Sequence, residues 1–192
     1  MLVNPTIPQN TGNIGRTCVG LDMPLTLIGD LGFSLSTKAL RRAGLDYWPA
    51  LDVDHLPSFS DAVSAHPSDR FYFLTKFGQT SLLDADFWPP SLSSDDAGKD
   101  RRMPGGSGEG GSICLVFGSE ISGLGSLLEE HPHMSESPHV EHIAIPQTDD
   151  IRCFNLASSA ATVAWEAYRQ FSDVHSQHAR PNVHSQHAGP DV

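Results

Sequence analysis

Three segments of this chain hold residues whose types and spacing suit ligand chemistry: "NPTIPQNTGNIGR" at 4–16, "FGSEISGLG" at 117–125 and "IPQTDDIRCFNLA" at 145–157. Each is a polar, Gly- or Pro-bearing stretch that follows a β-like run. In an open parallel sheet, ligands bind in the crevice at the carboxyl ends of the strands, where such loops gather. Gly118 and Gly123 let backbone approach a ligand closely. Asn155, at the start of a helical pattern, suits an anionic or polar group. Arg16 and Glu120 add a permanent cation and a carboxylate. Each residue also has a plainer role open to it: Gly123 as a turn, Asn155 as an N-cap, Glu120 as a surface carboxylate.

The elements that must position these loops alternate between β and α. "MLV" reads as a short strand, and Ile14, Thr17, Cys18 and Leu21 recur at helical spacing, which predicts a helix over 11–22 with Arg16 off its apolar face. "LTLIG" at 25–29, "RFYFLTKFG" at 70–78, "SICLVFG" at 112–118 and "EHIAIP" at 141–146 read as further strands. Ser36 or Thr37 caps a predicted helix over 37–43 that Gly44 stops, and Leu124, Leu127 and Leu128 suggest another short one. From Asn155, apolar residues at Leu156, Ala160, Val163, Ala164, Ala167, Tyr168 and Phe171 predict a long amphipathic helix. The pattern is α/β, a parallel sheet flanked by helices.

Composition bounds the rest. A chain of 192 residues with 39% hydrophobic content fits one domain, read here as residues 1–172 with a low-complexity Pro-, Gly- and Ser-rich insertion at about 89–112. A tail at 173–192 repeats itself as "VHSQHARPN" and "VHSQHAGPD" and reads as disordered. Its pairs His175/His178 and His184/His187, like His131, His133, His139 and His142, match no established zinc spacing, so no metal is expected. "GSGEGG" at 106–111 fits G-x-G-x-x-G but precedes a strand, where a dinucleotide loop must follow one. No apolar run is long enough for a bilayer, and the three cysteines form no C-x-x-C pair. These features predict a soluble cytoplasmic protein, or an organellar one if a segment precedes Met1. The net charge of −11 speaks against nucleic acid, yet "KALRRAG" gathers Lys38, Arg41 and Arg42 within about a helical turn. That cluster is a phosphate-binding patch or a solvated helix face.

Taken together and in order, the three segments resemble the three motifs of the SPOUT class of RNA methyltransferases, and within it the small tRNA 2′-O-methyltransferases that modify the wobble nucleotide. "PTIPQNTGNIGR" is similar to the first motif, "FGSEISGLG" to the second and "IPQTDDIRCFNLASSAATVAWEAYRQ" to the third, and "RRAGLDYW" at 41–48 also resembles a family segment. The resemblance spans about residues 1–171. It implies a deep C-terminal trefoil knot, an S-adenosyl-L-methionine site within it, a homodimer, and tRNA bound across both subunits. Asn10, Arg16, Glu120 and Asn155 match the catalytic positions, and Gly118, Gly123, Ile145, Cys153 and Leu156 match the cofactor pocket. Lys38, Arg41, Arg42 and Arg152 become candidate RNA contacts. Cys153 and Ala157 stand where most members have Ser.

What the resemblance implies for mechanism is specific. Methyl transfer to a ribose hydroxyl needs the oxygen held in line and its developing charge stabilised. A guanidinium stays protonated, so Arg16 suits phosphate anchoring and oxyanion stabilisation. Asn10 orients the substrate, and Glu120 fixes loop geometry or a substrate group. Two other readings stay open: a non-catalytic relative that binds RNA or cofactor without turnover, and an unrelated α/β small-molecule enzyme.

Overall fold

The computed structural model describes residues 1–34, 46–67, 69–87, 112–125, 127 and 139–172. Among the described residues there are seven strands: β1 (Leu2–Val3), β2 (Leu25–Ile28), β3 (Val53–Leu56), β4 (Arg70–Leu74), β5 (Thr80–Ser81), β6 (Ile113–Phe117) and β7 (Val140–Ala144). They make one sheet in the order β3-β2-β1-β6-β4-β7-β5. Every pairing in it is parallel. Among the described residues three α-helices accompany them: α1 (Pro8–Leu21), α2 (Phe59–Ala65) and α3 (Leu156–Ser172). The order runs outward from β1 through β2 to β3, and the strands that follow in sequence lie on the other side of β1. The join between β1 and β6 is therefore the point where strand order reverses, and its carboxyl end is where a crevice opens in such sheets.

Alternation along each strand supplies two cores. Tyr72 points to the face covered by α1 and α3, together with Leu2, Leu27, Ile143, Ile14, Ala160, Val163 and Ala167. Phe71, Phe73, Cys114 and Val116 point to the opposite face, where α2 contributes Phe59 and Ala62. Tyr72 and Phe73 are wholly buried, each worth about 1.5–3 kcal/mol on burial. The Tyr72 hydroxyl donates to the Asp86 carbonyl at 2.8 Å, which removes the cost of burying it. α3 is tied to the same segment: Gln170 Nε2 donates to the Ala85 carbonyl, and Phe87 N donates to Gln170 Oε1, both at 2.9 Å. At the amino end of the sheet Asp69 accepts from Ser112 N at 2.7 Å and from the Cys114 thiol at 3.4 Å. Burial, reinforced by that carboxylate, pushes the Cys114 thiol up to about 12, so it remains a donor. All three cysteines are free.

Several boundaries differ from the sequence reading. α1 starts at Pro8 instead of residue 11, because a proline in the first turn lacks only an N–H that would have no helical partner. Asn10 thus sits in a helix and not in a loop. The strand expected over 70–78 ends at Leu74, where Gly78 N donates back to the Thr75 carbonyl at 3.2 Å and turns the chain. β3, α2 and β5 were not anticipated. The expected 37–43 helix, nearly all of the 89–112 insertion and the 173–192 tail lie outside the described residues, as does Leu128; Leu124 and Leu127 are buried. Among the described residues no helix is long and apolar enough to cross a membrane.

Candidate active site

Glu120 is the hub of the loops at the carboxyl end of the β1/β6 join. Its Oε2 accepts from Thr6 N and from Thr6 Oγ1, each at 2.9 Å. Its Oε1 accepts from Asn10 Nδ2 at 2.9 Å and from Ile7 N at 3.3 Å. Ile7 is the N-cap of α1 and has no side-chain acceptor to offer. Glu120 supplies the missing cap from 113 residues away, placing its negative charge where the helix dipole favours it. Burial alone would raise the Glu120 carboxyl, but the bonds from Thr6 and Asn10 outweigh it and hold the group below its ordinary value.

The same chain of bonds reaches the third motif. Asn155 Nδ2 donates to Asn10 Oδ1 at 3.0 Å, while Asn155 Oδ1 accepts from Ala157 N at 2.9 Å and Ser158 N at 3.3 Å. Asn155 is thus both the N-cap of α3 and a tie to α1. Asn10 is 6% exposed, and its amide is engaged at both ends. It therefore holds the loops together instead of presenting a free group. Ala157 is buried in the core beneath, and its backbone N–H completes the cap, which requires no hydroxyl at that position.

The turn that carries Glu120 depends on two glycines. Ser119 N donates to the Gly123 carbonyl at 3.1 Å, and Gly123 N returns a bond to the Ser119 carbonyl at 2.8 Å. Gly123 has φ 61°, which strains any L side chain. A Cβ on Gly118 would overlap the Gly123 backbone. Gly118→Ala is expected to open this turn and lower stability by about 2–4 kcal/mol, as thermal melting of the variant would show.

The structure unites Asn10, Glu120 and Asn155 but sets Arg16 apart, six positions along α1 and so about 9 Å from Asn10 along the axis. The Arg16 guanidinium lies 4.7 Å from the centre of the Tyr47 ring and 3.5 Å from Asp46, with its side chain 65% exposed. Arg152 and Cys153 are exposed in the loop before Asn155, where the Arg152 carbonyl accepts from Gln147 Nε2 at 3.2 Å. Ile145 and Leu156 are half-buried against the α1/α3 core. Lys38, Arg41 and Arg42 lie outside the described residues. Sequence reasoning missed Thr6, which gives Glu120 two of its bonds, and the pairing of Tyr47 with Arg16. The signals for both lay inside segments already singled out, "PTIP" and "LDYW".

An open parallel sheet with three polar loops tied together at its reversal point defines an α/β protein of the kind that binds ligands at that point. Residues 1–165 match the SpoU rRNA Methylase family, and the chain belongs to it. A Listeria innocua protein provisionally named tRNA (cytidine(34)-2′-O)-methyltransferase is 36% identical over 172 residues, covering 90% of this chain and 87% of that one. A solved structure described as giving insights into the 2-OH methylation of C/U34 on tRNA is 34% identical, with TM-score 0.66, covering 90% of this chain and 94% of the other. The SpoU methyltransferase AviRb from Streptomyces viridochromogenes, crystallised with the cofactor AdoMet, shares the fold at 19% identity and TM-score 0.63, covering 88% of this chain and 56% of that one.

Proposed function

We propose that this chain transfers a methyl group from S-adenosyl-L-methionine to the ribose 2′-hydroxyl of the wobble nucleotide, position 34, of tRNA. The observation that carries this reading is the Glu120–Asn10–Asn155 chain, which joins all three motif segments at the one place where a parallel sheet opens a ligand crevice. The names carried by the relatives at similar length supply the substrate.

The residues present fit the cofactor. Gly123 has open space where a Cβ would stand, and Ile145 and Leu156 offer half-buried apolar surface, a mixture of bare backbone and apolar wall that suits an adenosyl group. Bound S-adenosylmethionine supplies an electrophilic methyl group on a sulfonium. Glu120, Asn10 and Asn155 hold the three loops in one geometry, so that no reorganisation is needed when RNA arrives. Arg16, permanently charged, anchors the phosphate beside the target ribose and stabilises charge developing on the 2′-oxygen.

Gly118, Gly123, Ile145, Cys153 and Leu156 form the cofactor pocket in this reading, and Lys38, Arg41, Arg42 and Arg152 meet tRNA phosphates. A C-terminal trefoil knot and a homodimer belong to the same reading. Ile7, Ile121, Phe154 and Trp165, exposed apolar residues on α1, the Glu120 turn and around α3, support an interface there. The protein then works where tRNA is matured, in the cytoplasm. The test is methyl transfer to unmodified tRNA: an alkali-stable linkage at nucleotide 34 supports the reading, and label on a base overturns it.

A further inference from the structure

Arg16 projects from an exposed helix face, and a long side chain there samples many rotamers. What surrounds it limits that freedom. Gly12, Gly15 and Arg16 lie at i, i+3 and i+4 and so share one face of α1. The segment Asp46–Leu51 lies across that face. The Tyr47 hydroxyl donates to the Gly12 carbonyl. A Cβ on Gly15 would stand 3.0 Å from Leu51 Cδ2 and 3.2 Å from the Trp48 ring. The bare glycine is what lets this segment sit so close. Arg16 then stacks over the Tyr47 ring at 4.7 Å.

We propose that Tyr47 is a positioning residue for Arg16: its ring, carried on the segment that Gly15 lets sit against α1, holds the guanidinium in one place before RNA binds. Asp46 adds less. Its ion pair with Arg16 spans 3.5 Å between side chains 65% and 87% exposed, where water screens the attraction. The ring is the stronger constraint, because it restricts the plane of the guanidinium and excludes water from one side of it. The glycine just before Arg16 thereby gains a physical reason: Gly15 clears room for the segment that orients the arginine. This inference rests on Arg16 acting on the RNA as proposed above.

The experiment compares wild type with Tyr47→Leu and Tyr47→Phe in single-turnover methyl transfer to tRNA, each also in an Arg16→Ala background. Expected is a loss of roughly 10- to 100-fold in rate for Tyr47→Leu, with the KM for S-adenosylmethionine unchanged and the melting temperature near wild type. Tyr47→Phe, which keeps the ring, stays within about threefold of wild type. In the Arg16→Ala background Tyr47→Leu costs nothing further, since residues acting as one unit are not additive. A Leu variant as fast as wild type, or equal losses with and without Arg16, overturns the proposal. If Tyr47→Leu does not fold, the Phe variant decides, and a tenfold or greater loss there overturns it. Should wild type itself transfer no methyl group, the proposed function fails while this pairing is still read by the proton resonance of Arg16 Nε. A ring-current shift present in wild type and Tyr47→Phe supports the pairing, and its absence overturns it.

Discussion

Arg16→Ala is expected to lower methyl transfer by about 10²- to 10³-fold, the loss seen when one charge-stabilising donor is removed from a preorganised site. Binding of S-adenosylmethionine should be unchanged, because the contacts Arg16 makes among the described residues are with Asp46 and Tyr47 and not with Gly118, Gly123 or the β7–α3 loop. Stability should move by no more than about 0.5 kcal/mol, since the side chain is exposed and contributes nothing to either core. The discriminating measurement is therefore a pair: rate by labelled methyl transfer and affinity by calorimetry. A fall in rate with affinity kept assigns Arg16 to the reacting centre. A fall in both would make it a pocket residue instead, and a near-normal rate would remove it from the mechanism.

The second large effect is expected at Glu120. Glu120→Ala strips acceptors from Thr6 N, Thr6 Oγ1, Ile7 N and Asn10 Nδ2 at once and leaves the first turn of α1 without its cap. The expected loss is about 2 kcal/mol, or a fall of about 4–8 °C in melting temperature for a chain of this size, and activity falls with it because the three loops lose their common tie. The pH dependence has a definite sign. Hydrogen bonds to the ionised carboxylate place its folded value below the ordinary 4.5. The stabilisation is therefore complete above that value and is lost as pH falls through the folded one. Wild type should lose melting temperature in acid below about pH 4.5, whereas Glu120→Gln should show a flatter acid limb. Parallel acid limbs in the two proteins would contradict the role given to Glu120.

How much of this was legible in the sequence depended on burial and on local signals. β2, β4, β6 and β7 were readable because both faces of a parallel sheet are covered and its inner strands are nearly continuous apolar runs. α3 was readable because its apolar stripe runs unbroken from Leu156 to Phe171. β3 was not, because "VDHL" is an edge strand whose middle residues Asp54 and His55 are exposed, so it shows neither a run nor an alternation. β5 is two residues long and exists only by pairing with β7. α2 does carry a signal in the sequence: Ser58 and Asp61 form a reciprocal cap, with Asp61 N donating to Ser58 Oγ at 3.2 Å and Ser58 Oγ donating to Asp61 Oδ2 at 2.6 Å.

The candidate site divides in the same way. Residue types and motif order were visible, but the bonds that define the hub span 110 to 145 residues and appear only once the sheet brings β1 and β6 together. Nor could the sequence separate Asn155 as a cap from Asn155 as a site residue. One side chain does both, its oxygen capping α3 and its nitrogen holding Asn10. Asn10 itself changes meaning between the two views, from a residue that orients substrate to a buried link that orients loops.

The acceptor atom in the proposed reaction is the 2′-oxygen of nucleotide 34. The most direct measurement is transfer of labelled methyl from S-adenosylmethionine to two otherwise identical tRNAs, one of which lacks only the 2′-hydroxyl of nucleotide 34. Label is expected on the complete tRNA and none on the 2′-deoxy one. Equal labelling of both would place the reaction at another atom and contradict that assignment.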